Sequence, residues 1–215
     1  MNKSLYSLIL SDDVVREIDR LAYKSGTNRS SMINRILAEY VSYTTPEMRF
    51  NQIFSALENM LLPTDNFKRL INNSMSVMSL RSSLDYKYNP SVKYSLELYK
   101  NVGDTLGALK MSMRTQNASL ISYMMDFYKL FARLEASYVK GVSYYLEGDK
   151  FVRELKLRTD KQLTTEQLGN LIAEYIKMLD SCLKAYFYNV NDSQRAAFEL
   201  DRILAAYIDK NGAII

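Results

Sequence analysis

The sequence contains no histidine, and this absence removes several kinds of active site. Catalytic triads that use an imidazole, imidazole-ligated zinc sites and a histidine general base are all excluded. The single cysteine, Cys182, can form neither an internal disulfide bond nor a thiolate metal cage. No constellation of nucleophile, base and oxyanion donor can be assembled from the other residues, so we expect no enzyme activity, metal or cofactor.

Glycine and proline are also scarce, with 7 and 3 residues in a chain of 215. Sandwiches and barrels made only of strands need many turns, so this scarcity favours long helices. No apolar run approaches the roughly 18 residues that cross a bilayer. Residues 5–10 are apolar but run directly into Asp12 and Asp13, where a signal peptide would continue. Because cysteine pairs are lacking too, we expect a cytoplasmic protein with no membrane partner.

The charge is mildly basic, with 28 Lys and Arg residues against 24 Asp and Glu residues and a net charge of +4. This balance permits binding to a polyanion without requiring it. The first forty-odd residues contribute little of the excess, so their non-specific affinity for DNA should be weak.

The start of the chain predicts the order strand, helix, turn, helix. Residues 3–10 are rich in branched and aromatic side chains, as in a strand. Ser11 can cap a first helix, Gly26 supplies a left-handed exit from it, and Asn28 can cap a second. One strand with two amphipathic helices cannot cover its own apolar surface, so we expect this unit to pair with a second copy.

Particular residues give this region a family resemblance. They are the strand at 5–10, the segment Ser-Asp-Asp-Val-Val at 11–15, the stripe of Ile18, Asp19, Leu21 and Ala22, and the turn Gly-Thr-Asn-Arg-Ser-Ser-Met-Ile at 26–33. With these residues the sequence resembles the ribbon-helix-helix superfamily, which includes the methionine and Arc repressors, over residues 3 to about 43. The resemblance implies a dimer whose two strands form an antiparallel ribbon in the DNA major groove.

The resemblance also assigns a DNA-reading face and a phosphate clamp. Aligning Leu10 and Ser11 with the family's strand-to-helix junction turns Tyr6, Leu8 and Leu10 inward. The residues left on the base-facing side are Lys3, Leu5, Ser7 and Ile9. Those expected to contact phosphate at the start of the second helix are Asn28, Arg29 and Ser30.

The base-facing set departs from the family pattern, since Leu5 and Ile9 can contact thymine methyl groups but cannot make bidentate hydrogen bonds. Direct readout would therefore be modest. Alternatively, both side chains are buried and the ribbon only holds the dimer together. Asn28 and Ser30 could likewise serve only as helix caps, although capping and phosphate contact are compatible.

The rest of the chain, residues 45–215, predicts about six helices. Apolar stripes at helical spacing run through Phe67–Met78 and Leu98–Met113, Thr164 and Gln167 form a capping box, and Asn211-Gly212 ends the last helix. The 17 tyrosines either line a cavity for an apolar effector or simply fill the core. The fold prediction is thus mainly α, with a ribbon-helix-helix unit at 1–44 and an all-α helical bundle at 45–215 that serves oligomerisation, effector binding or partner binding.

Three functions follow from this organisation. The first is a sequence-specific double-stranded DNA-binding protein, a homodimer or dimer of dimers that acts as a transcriptional repressor. The second is a plasmid-type accessory protein for partition, copy control, antitoxin or relaxosome function, whose bundle recruits a partner protein to DNA. The third is a dimeric interaction module that does not bind DNA.

Overall fold

The computed structural model describes residues 5–72, 74–100, 103, 105–158 and 162–212. It divides the chain into two compact units, with the boundary between Arg49 and Phe50. The sequence placed its boundary slightly earlier, between residues 44 and 45. Each unit is described by itself below.

The first unit contains the helices α1 (Asp12–Lys24) and α2 (Arg29–Tyr40), and the helix α3 (Pro46–Leu61) begins at its end. Gly26, with φ of 60°, makes the turn between α1 and α2. At the start of α3, the hydroxyl oxygen of Thr45 accepts a hydrogen bond from the N–H of Met48 at 3.2 Å. Pro46 occupies the first helical position, where its missing N–H removes no helical hydrogen bond.

The second unit combines the rest of α3 with a sheet and three further helices among the described residues. A short 3-10 helix (Leu62–Thr64) follows α3. The strands are β1 (Phe67–Leu70), β2 (Val77–Ser83), β3 (Ser91–Leu98), β4 (Thr105–Met113), β5 (Tyr144–Glu147) and β6 (Lys150–Lys156), and the helices are α4 (Ala118–Tyr138), α5 (Thr165–Tyr188) and α6 (Ser193–Asn211).

All pairings in the sheet are antiparallel, in the order β1-β2-β3-β4-β6-β5. Successive side chains of β3 point to opposite faces of the sheet. The Tyr94 hydroxyl donates a hydrogen bond to Asp180 of α5 at 3.0 Å, so the face that carries Tyr94 packs against the helices. The neighbours of Tyr94 in register, Leu80 on β2 and Met111 on β4, are buried in the same core. Lys93, the residue before Tyr94, therefore lies on the opposite face.

The helices of the second unit complete this core. The capping box at α5 forms as predicted, since Thr164 and Gln167 each accept a hydrogen bond from the other's backbone N–H. Gly169 lets α5 approach α3 closely, because a Cβ at this position would lie 2.6 Å from the Ala56 Cβ and 2.8 Å from the Ile53 carbonyl oxygen. The last helix ends at Asn211 as predicted, and Gly212 follows with φ of 68°.

The predicted fold class is wrong, because residues 45–215 form a sheet with packed helices and not an all-α bundle. The stripe Phe67–Met78 belongs to β1 and the start of β2, and the stripe Leu98–Met113 spans the end of β3 and all of β4. Most of β4 is buried, and its apolar residues Leu106, Leu109, Met111 and Met113 are separated by intervals of two as well as three and four. Such a run satisfies helical spacing as well as strand spacing.

The predicted N-terminal strand is also absent from this chain, since the described residues 5–10 form neither strand nor helix. A strand is defined by ladder hydrogen bonds to a neighbouring strand. Within the described part of this single chain, residues 5–10 have no such neighbour.

Candidate nucleic-acid interface

The segment of residues 5–10 exposes its side chains along its whole length. Of the predicted base-facing residues, Leu5 and Ile9 have side chains that are 97% and 103% exposed, and Ser7 is exposed as well. Lys3 lies outside the described residues. The side chains predicted to turn inward, Tyr6 and Leu8, are also exposed. The chain by itself therefore covers neither side of this segment.

The helices that follow have a very small core of their own. Among the described residues of the first unit, a cluster of Ile18, Ala22 and Met32 is buried, with Ile33 packed against it. Large apolar side chains on both helices remain exposed; they are Val14, Leu21, Tyr23, Ile36, Leu37 and Tyr40. Domains of this size need more buried apolar surface to be stable alone. The first unit thus buries little apolar surface for a unit of its size.

The predicted phosphate-contacting residues lie together on the first turn of α2. The side chain of Asn28 accepts a hydrogen bond from the N–H of Ser31 at 2.9 Å, so Asn28 is the helix cap. Arg29 and Ser30 are the first two helical residues, whose N–H groups have no carbonyl partner within an α-helix. These N–H groups and the helix dipole favour an anion at this end of α2.

Arg29 is engaged by a residue that the sequence analysis did not assign to the site. Its Nε and Nη2 donate to the two carboxylate oxygens of Asp19 on α1, at 2.7 and 2.6 Å. These hydrogen bonds lower the pKa of Asp19, and the positive charge of Arg29 acts in the same direction. Both side chains stay about half exposed. Arg29 is thus held at the surface beside the start of α2, where an approaching phosphate would compete with Asp19 for it.

Three other arginines of the first unit form similar surface pairs. Arg16 pairs with Asp13, Arg20 with Glu17 at 2.7 Å, and Arg35 with Glu39 at 3.0 Å. This pairing leaves the helical surface nearly balanced in charge, which limits long-range attraction of DNA by this unit.

The second unit offers a cleft but no metal site within the described residues. The cleft encloses about 620 Å³, and its lining includes the polar side chains of Asp85, Lys184, Asn189, Arg195 and Glu199. The described residues contain no group of three or more possible metal ligands. Cys182 is buried, and its burial raises the pKa of the thiol. Buried thiols of this kind are unreactive.

Several of the tyrosines considered for an effector cavity fill the core instead. The Tyr128 ring stacks on Phe151 with the ring centroids 4.8 Å apart, and Tyr175 packs edge-on against Tyr207. Both Tyr128 and Tyr175 are almost fully buried. Tyr188, in contrast, lines the cleft.

Comparison of the chain with models of known protein families, with curated proteins and with solved structures finds no match. None of the helices in the described residues has the length and apolar character needed to cross a bilayer.

Proposed function

We propose that this protein is a dimeric, sequence-specific double-stranded DNA-binding protein that regulates transcription as a repressor. In this proposal residues 5–10 of two copies pair as an antiparallel ribbon that enters the major groove. The observation that carries it is the uncovered apolar segment 5–10, placed directly before a pair of helices whose second member is capped by Asn28.

The unpaired backbone and exposed side chains of residues 5–10 support the dimer. A ribbon of two segments satisfies the ladder hydrogen bonds that one segment cannot make. Turning Tyr6 and Leu8 toward the helices of both copies would bury them on the exposed apolar surface of α1 and α2. Each large apolar side chain that becomes fully buried contributes about 1.5–3 kcal/mol. Several such side chains per copy are enough to stabilise a dimer of small units.

The opposite side of the ribbon would then face the bases. Ser7 can donate or accept a hydrogen bond at a base edge, and Leu5 and Ile9 can pack on thymine methyl groups. The start of α2 would bind the phosphate backbone through the N–H groups of Arg29 and Ser30. The contribution of the second unit is to bind a partner protein or effector, and a cytoplasmic location accords with this role.

The test is fluorescence-anisotropy titration with a duplex from the region upstream of the protein's own gene, beside an unrelated duplex of equal length. The variants are Ser7→Ala for the reading face and Arg29→Ala for the phosphate contact. Arg16→Ala is the matched control, because it also removes an exposed, ion-paired arginine from the same unit. Analytical ultracentrifugation measures the oligomeric state of each protein.

We expect preferential binding to the upstream duplex. Arg29→Ala should weaken binding to both duplexes, Ser7→Ala should reduce the preference, and Arg16→Ala should change little. A stable dimer that binds neither duplex would overturn the proposal in favour of an interaction module. Unchanged binding by both site variants would show that the assigned face is wrong.

A further inference from the structure

Three basic side chains lie side by side on the face of the sheet that is turned away from the helices. Lys68 on β1 is directly opposite Arg81 on β2, and Arg81 is directly opposite Lys93 on β3. We call these three residues the basic row. All three are exposed. Neighbouring strands are about 4.8 Å apart, so the row extends over roughly 10 Å.

The basic row has no acidic partners in the part of the chain that the structure describes. None of its three side chains makes a hydrogen bond or ion pair with any described residue. The lysines at the other end of the same face are all paired: Lys110 with Glu97 and Glu147, Lys150 with Glu147, and Lys156 with Glu154. On this face of the sheet, the lysines of β4 and β6 are therefore ion-paired, whereas the basic row on β1, β2 and β3 is not.

This arrangement is unfavourable for the sheet alone. Like charges directly opposite each other on neighbouring strands destabilise the pairing, whereas opposite charges stabilise it. Lys150, directly opposite Glu147, follows this rule, and the basic row breaks it. Departures from a local rule of folding are expected where a surface binds something. An anion with several closely spaced charges would remove the repulsion within the row.

Hydroxyl groups surround the basic row. Ser112 lies opposite Lys93 on β4, and Ser83 lies opposite Ser91 at the neighbouring end of β2 and β3. Lys, Arg and Ser side chains are the groups that contact the phosphates of DNA, and closely spaced phosphates are what a row of cations matches. Protein-binding and membrane-binding surfaces instead place large apolar side chains at their centre.

We propose that the basic row contacts the phosphate backbone of double-stranded DNA. This makes the second unit part of the DNA-binding surface and rests on the proposed function, since it names the same ligand. Phosphate contacts carry no sequence information. The basic row would therefore strengthen binding to every duplex equally.

The experiment compares two triple variants of the full chain by anisotropy titration on both duplexes over a series of salt concentrations. The test variant is Lys68→Gln, Arg81→Gln and Lys93→Gln. The matched control changes the paired lysines of the same face, Lys110→Gln, Lys150→Gln and Lys156→Gln, and so alters the net charge by the same amount. Circular dichroism verifies that both variants are folded.

Each phosphate contact contributes about 0.9 to the slope of log K against log salt, so the test variant should lose about 2.7 per bound chain. The control should keep the slope of the original protein, and the preference for the upstream duplex should persist in both variants. Equal losses in the two variants would indicate a general charge effect and overturn the inference.

Two further outcomes separate this inference from the proposed function. If the unmodified protein binds no duplex, the proposed function fails. If it binds DNA and the test variant keeps the full slope, this inference alone fails. Loss of binding to phosphatidylserine vesicles by a test variant that keeps its DNA slope would assign the basic row to a membrane surface and overturn the inference.

Discussion

Replacing Arg153 by methionine should destabilise the second unit strongly, because it breaks a buried charge cluster. Arg153 on β6 donates to the carboxylate of Glu135 on α4 from Nε at 3.0 Å and from Nη2 at 2.8 Å. Both side chains are only 2% exposed. The other carboxylate oxygen accepts hydrogen bonds from the hydroxyls of Tyr144 and Tyr175, the latter at 3.0 Å. The Arg153 guanidinium also lies 4.3 Å from the centre of the Tyr175 ring.

The loss of stability in Arg153→Met comes from the Glu135 carboxylate, which stays buried without a partner of opposite charge. Arg153→Met fills the space with an apolar chain but leaves the Glu135 carboxylate buried without its counter-charge, which costs about 3–5 kcal/mol. The double variant Glu135→Leu with Arg153→Met removes both charges. Its main remaining cost is the buried Tyr175 hydroxyl without an acceptor, about 1–3 kcal/mol. The double variant should therefore be more stable than Arg153→Met alone.

The assay is urea unfolding followed by circular dichroism. Arg69→Met is the matched control, because Arg69 lies on the same sheet face and pairs with Glu58 of α3 while remaining largely exposed. An exposed pair contributes about 0–1 kcal/mol. If Arg153→Met costs no more than Arg69→Met, or if the double variant is less stable than Arg153→Met, the reasoning about the buried pair is refuted.

Two other substitutions test close packing and the candidate interface. Gly169→Ala should destabilise the chain by about 1–3 kcal/mol in urea unfolding, because the new methyl group would clash with Ala56 and Ile53 of α3; greater stability would show that α3 and α5 separate easily. Asp19→Asn should tighten duplex binding, measured by anisotropy, because it removes the carboxylate that competes for Arg29; unchanged or weaker binding would contradict this. Since the pKa of Asp19 is lowered in the folded chain, its pair with Arg29 stabilises the fold above the unfolded pKa and is lost as the pH falls through the folded value. Asp19→Asn should lack this part of the acid dependence in pH-jump unfolding.

Helix ends were predictable because their signals are local. Thr164 with Gln167, Asn28 and Gly212 act on backbone groups within a few positions of themselves, so their spacing along the chain is enough to recognise them. The same chemistry operates whatever the helix packs against. The helix ends predicted at these positions are therefore correct although the predicted fold class is wrong.

The strands were missed because glycine and proline were the wrong guide to turns in this chain. Residues other than glycine adopt positive φ at Asp65, before β1, and at Tyr88 and Asn89, before β3, so tight connections form without glycine. The strand β3 does carry a clean signal, since polar and apolar residues alternate throughout Ser91–Leu98. The scarcity of glycine and proline favoured helices, although the two-residue alternation of β3 favours a strand.

The two sets of residues proposed to contact DNA differ in the same way. The turn at Asn28, Arg29 and Ser30 is contiguous, so a sequence motif could mark it. Asp19, the partner of Arg29, lies on another helix, and the basic row is assembled from three strands. No spacing of residues along the chain therefore predicts the Asp19–Arg29 pair or the basic row. Register alone turns scattered lysines and arginines into a row, and register is fixed here by burial of the opposite face through residues such as Leu80 and Tyr94. The core of the second unit thus determines where its unpaired charges lie, and a one-residue shift of β2 would turn Arg81 onto the helix-facing side of the sheet and break the row.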